Sequence, residues 1–135
     1  MTKCIYGFLG KNGEIEIDGL KIKCDNKFAI IAMSSLTKDP ISNSDNILLT
    51  TVGKAMNTDA KFDGEVMLDV GHAPITVENI EVEIELETST KNLKVWSVSA
   101  EGYYIGSIPA TEENGKLKFR LGDTARSMCY LLVKD

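Results

Sequence analysis

The chain has 135 residues, 43% hydrophobic and 26% charged, a balance that excludes disordered and fibrous classes and gives enough length for one buried core. Its net charge of −5, with acids spread along the sequence, leaves no basic face for a phosphate backbone, so nucleic acid is not an expected partner. No apolar run approaches the about 20 residues of a membrane-spanning helix, and no membrane partner is expected.

Met1-Thr2-Lys3 is followed by only a few apolar residues before Gly10, and no signal peptide is read there. Glu14-Ile15-Glu16-Ile17-Asp18 and Leu20-Lys21-Ile22-Lys23-Cys24 alternate apolar and charged side chains, as half-buried strands do, and Asp18-Gly19 between them is a turn pair. Phe28 to Ser35 (FAIIAMSS) and Ile47 to Met56 (ILLTTVGKAM) behave differently, being apolar on both faces. Such runs suit strands covered on both sides, or strands whose outer face is covered by something outside the chain.

Alternation resumes in Ile80 to Leu86 (IEVEIEL) and in Lys116 to Leu121 (KLKFRL), with turn formers at Lys11-Asn12-Gly13, Asp25-Asn26, Ser89 to Asn92, Glu101-Gly102, Asn114-Gly115 and Gly122-Asp123. No segment has a sustained helical period or cap. The pattern predicts an all-β fold, an antiparallel β-sandwich of jelly-roll or Ig-like kind with about nine or ten short strands, over residues 1–135 as one domain.

Candidate chemistry is sparse. Cys4, Cys24 and Cys129 are three, widely spaced and without a CxxC pair, so they read as buried small hydrophobes. Glu14, Glu16, Glu81, Glu83 and Glu85 alternate outward on strands, as a solvated face does. His72, the single histidine, sits at a turn before a strand with no nucleophile motif to serve. Asp39, Asn43, Asp45 and Asn46 crowd one loop with oxygen atoms; turn chemistry accounts for them, with calcium as the alternative and no other cofactor expected. Trp96, Tyr103 and Tyr104 are the candidate carbohydrate-binding rings. Lys94, Trp96 and Val98 share one face of their strand and Leu93, Val95 and Ser97 the other, so Trp96 packs in the core, at a domain interface, or outward. At most one of the two adjacent tyrosines can face the same way as Trp96.

FAIIAMSSLTKDPISNSDNILLTTVGKAMNT, followed by GHAPI and IEVEIEL, resembles the C-terminal β-sandwich region of large bacterial glycoside hydrolases. The resemblance runs from about Tyr6 to Tyr130, and its most distinctive part is ILLT-x-VG-K-A-x-NT. Asp59, His72 and Tyr103-Tyr104 depart from the pattern. It implies a non-catalytic accessory domain excised from a larger secreted or cell-surface protein, with no catalytic residues of its own. Its partner would be the catalytic domain of the same polypeptide, against which the Ile47 to Met56 strand could lean. The alternative is an autonomous carbohydrate-binding module that stacks polysaccharide on its exposed rings.

Overall fold

A computed structural model describes all of residues 1–135. Its strands, in chain order, are β1 (Thr2–Gly7), β2 (Glu14–Ile17), β3 (Leu20–Cys24), β4 (Ala29–Ser35), β5 (Asn46–Val52), β6 (Ala55–Thr58), β7 (Lys61–Asp63) and β8 (Val66–Asp69). They continue as β9 (His72–Val77), β10 (Val82–Glu87), β11 (Leu93–Val98), β12 (Tyr104–Ile108), β13 (Ala110–Glu113), β14 (Lys116–Leu121) and β15 (Cys129–Lys134). Two single 3₁₀ turns, Leu9–Lys11 and Ile41–Asn43, are the nearest approach to a helix.

The architecture is the expected antiparallel sandwich. A six-stranded sheet in the order β1-β4-β5-β15-β11-β12 faces a five-stranded sheet in the order β13-β14-β10-β3-β2. Alternation decides which side chains go inside. Leu20, Ile22 and Cys24 of β3, Val82, Ile84 and Leu86 of β10, and Leu117, Phe119 and Leu121 of β14 meet Ile31, Met33, Ile47, Leu49, Tyr130 and Leu132 in one apolar cluster. Tyr130 is fully buried, and its hydroxyl accepts a hydrogen bond from the Ser127 amide.

Turn chemistry fixes the register. Asp18 and Gly19 both have positive φ (45° and 76°) and close the β2–β3 hairpin in which Ile17 opposes Leu20. Asn114 and Gly115 (50° and 74°) do the same for β13 and β14. Two positive φ values in succession are what a tight hairpin needs, and Asx-Gly is the pair that tolerates them.

Fifteen strands form rather than nine or ten. Most of the excess is β6 to β9, which build a separate two-limbed arm between β5 and β10: β6 pairs with β9 and β7 with β8. No residue from Ala55 to Val77 is buried, so these short strands have no buried face, and the period-of-two signal depends on one. The apolar run read from Ile47 to Met56 therefore breaks at Gly53, where β5 ends and the arm begins. A Cβ at Gly53 would lie 2.7 Å from the Ile80 side chain.

Replacing Leu49, which has no exposed surface, by alanine is expected to cost about 2–5 kcal/mol, read as a lower urea midpoint. A loss below about 1 kcal/mol would mean that the two sheets do not close over that position.

Candidate functional site

The two outer faces of the sandwich differ in kind. On the five-stranded sheet, cross-strand register generates an alternating array of charge. Arg120 lies beside Glu83, Glu83 beside Lys23 and Lys23 beside Glu14; one row over, Lys118, Glu85, Lys21 and Glu16 follow in turn. Cations of β14 and β3 thus flank anions of β10 and β2. Lys116 Nζ is 2.7 Å and Lys118 Nζ 3.3 Å from the Glu85 carboxylate, and Arg120 reaches Asp25 at 2.8 Å, Asp123 at 3.0 Å and Glu83 at 3.3 Å. Exposed pairs contribute at most about 1 kcal/mol each. The main effect of the array is a face content in water.

The outer face of the six-stranded sheet is nearly free of charge. Its central row, across the strands, is Thr2, Ser34, Leu48, Leu131, Trp96 and Ser107. The next row is Cys4, Ala32, Thr50, Cys129, Val98 and Tyr104, and beyond it lie Tyr6, Ile30 and Val52. On the far side Asn46, Val133 and Lys94 complete the face. Lys94, at a corner and 2.6 Å from Asp135, is its only charged residue. Strands about 4.8 Å apart and about 20 Å long give this face an area on the order of 500 Å².

Trp96 is directed to this outer face and away from the core, while its strand neighbours Val95 and Ser97 are buried. Its ring centroid is 5.2 Å from that of Tyr104, with the planes tilted by 50°. A β-bulge between Ser97 and Val98, with Ile105 as the extra residue, brings Tyr104 opposite Val98 and so onto the same face as Trp96. Tyr103 precedes the strand, is exposed, and its amide donates to Ser99 Oγ. The structure therefore unites two of the three candidate rings, tilted rather than coplanar.

The other candidates are scattered. Asp39 Oδ2 accepts from Thr37, Asn43 Oδ1 accepts from Ser89 at 2.7 Å, and Asp45 lies 3.6 Å from Lys134. Asn46 Oδ1 is buried without a partner. His72 is on the arm: Nδ1 is 2.8 Å from the Ala73 carbonyl and Nε2 is 3.1 Å from Asp59 Oδ2. Both nitrogens can donate at once only as imidazolium, so the Ala73 carbonyl first, and the Asp59 carboxylate second, raise the ring above its ordinary pKa. Of the cysteines, Cys24 is buried as expected, with burial raising its thiol pKa. Cys4 is exposed and Cys129 half-buried, because both fall on the outer rather than the inner phase of their strands.

Ile30 and Leu48 lie in the two runs read as apolar on both faces, and the residues that sequence reasoning did not single out are Leu131 and Val133. Their signal was present in the same missing alternation: CYLLVK, like NILLTTV, carries apolar residues in both phases. Set against known proteins, no family model, curated sequence or solved structure matches the chain.

Glu85 is held below its ordinary pKa of 4.5, first by the hydrogen bond from Lys116 and further by Lys118. A depressed carboxylate contributes stability above its unfolded pKa and loses it as pH falls through the folded value. Glu85→Gln is therefore expected to flatten the decline in urea midpoint below about pH 4.5. An unchanged acid limb would remove the Glu85 cluster from the acid response.

Proposed function

We propose that this chain is a non-catalytic accessory module that lays the outer face of its six-stranded sheet on a neighbouring domain. The observation that carries the reading is the contrast between the two outer faces, one an alternating array of charge and the other uncharged but for a single corner lysine, with apolar side chains at most of its positions. A solvated sheet face ordinarily alternates polar side chains outward. Leu48, Leu131, Trp96 and Ile30 instead fill the outward phase of central strands, where an apolar cover would remove them from water.

The size of the face favours a tethered neighbour. About 500 Å² per side falls short of the roughly 800 Å² of a standard interface between free partners. It lies within the range of contacts between domains of one chain, where the linker supplies the effective concentration. The resemblance to the C-terminal sandwich of glycoside hydrolases would make that neighbour a catalytic domain. It would also make the polypeptide secreted or cell-surface and leave the module free of catalytic residues.

A second reading, a carbohydrate-binding module, is favoured by the outward-facing Trp96 and Tyr104. Rings of this kind can stack on the apolar faces of sugars, although a tilt of 50° makes a poorer platform than coplanar rings.

The readings separate in the parent polypeptide. Docking predicts that Leu48→Glu and Leu131→Glu lower the melting temperature of the adjoining domain, whereas Lys118→Glu on the charged face leaves it within about 1 °C. Equal effects from both faces would sink the docking reading. Sugar binding predicts retardation in affinity gels containing polysaccharide, lost in Trp96→Ala and Tyr104→Ala. Retardation absent from the native chain removes that alternative.

A further inference from the structure

We infer that the arm between Lys54 and Glu78 is a self-association device, pairing antiparallel with the arm of a second copy about a twofold axis. This inference uses a different surface from the sheet face and stands whether or not that face docks.

The arm has no buried residue and its strands make their main contacts with one another. An isolated two-stranded hairpin is marginal in water, and this one exposes large apolar side chains along its return limb. Val66, Leu68, Val70 and Ile75 are 62–68% exposed. Its shape is nonetheless fixed from within. Asn57 Nδ2 donates to the Val70 carbonyl at 3.0 Å, Thr58 Oγ1 to Pro74 at 2.7 Å and Thr76 Oγ1 to Met56 at 3.1 Å. A preformed, apolar, uncovered limb is what an association surface requires.

Charge identifies the occupant. At the tip of the outer hairpin Asp63 and Glu65 make no ion pair, while Lys61 stands opposite Asp69 at that hairpin's base. At the root Lys54 is exposed and unpaired, and so are Lys11 and Lys27 in the loops that converge there. Asn26, next to Lys27, ties those loops to the root by donating to Glu78 and Asn79, and a Cβ on Gly10, next to Lys11, would touch the Asn26 carbonyl. The tip thus carries two unpaired acids, and the root carries three unpaired lysines against one carboxylate, that of Glu78, whose oxygens accept from Asn26 and the Lys54 amide. An object polarised this way is complementary to itself reversed, so a twofold pairing sets each tip on the other root and satisfies both ends at once. Between them the return limbs cover one another's apolar side chains. Pro74 lacks an N–H, so side chains rather than a continued strand ladder carry the contact.

The contact is at the small end of interface sizes, consistent with micromolar affinity. Sedimentation of the intact chain at about 100 µM is expected to give about twice the 14.8 kDa of one copy. Replacing residues 56–76 by Asn-Gly should give a monomer. Ile75→Asp, at a side chain already 68% exposed, should weaken association by about tenfold or more without touching the fold, so the test holds even if the shortened chain misfolds. Lys27→Glu with Lys54→Glu should weaken the dimer similarly, and adding Asp63→Lys with Glu65→Lys should restore it. A native chain that stays monomeric, a dimer that survives loss of the arm or Ile75→Asp, or charge reversals without effect would each overturn the inference.

Discussion

Burial of the inner faces of the two sheets against each other is the contact on which the rest of the molecule depends. Every strand of a sandwich has two phases, and once Ile22, Ile84, Phe119, Leu49 and Tyr130 are committed to the interior, the intervening residues are committed to the outside. Slipping one strand by a residue would exchange Lys21 or Glu83 with core leucines and isoleucines. The interior therefore sets not only stability but also the composition of both external surfaces.

That coupling gives the outer faces their meaning. On β3, β10 and β14 the outward phase is filled with lysine, arginine and glutamate in opposing registers, and each charge has an opposite charge on the neighbouring strand. On β4, β5, β11 and β15 the same phase holds isoleucine, leucine, tryptophan and valine among small and uncharged polar residues, with Lys94 its one charge. Nothing in sandwich geometry requires this difference, since both sheets could be closed and soluble with charged exteriors. The apolar exterior is a property added to the fold, and it falls on the sheet that also presents the Trp96–Tyr104 pair.

The sandwich was legible in the sequence because its signals are local. Alternation located β2, β3, β10 and β14, and Asp18-Gly19 and Asn114-Gly115 located two hairpins that the backbone angles bear out. The apolar exterior was visible only as a failure of alternation, in Phe28 to Ser35 and Ile47 to Met56 and, unread, in Cys129 to Lys134. Assembling those runs into one face needed the order β1-β4-β5-β15-β11-β12, which joins strands more than 70 residues apart. The orientation of Trp96 was undecided for the same reason, since either phase of β11 carries apolar residues. The arm was illegible because hairpins without a buried face leave no periodic trace, and Cys4 and Cys129 were misplaced because residue type was weighed above strand phase.

The root of the arm carries one more implication. Lys54 and Glu78 close it off: the Glu78 amide donates to the Lys54 carbonyl at 2.8 Å and the Lys54 amide to the Glu78 carboxylate at 3.2 Å. Everything beyond that clasp is mechanically separate from the sandwich, whose β5 and β10 would meet the same two residues whatever hung between them. Evolution could therefore lengthen, shorten or exchange this segment without renegotiating the interior, making it the part of the chain where lineages can diverge fastest while the scaffold stands still.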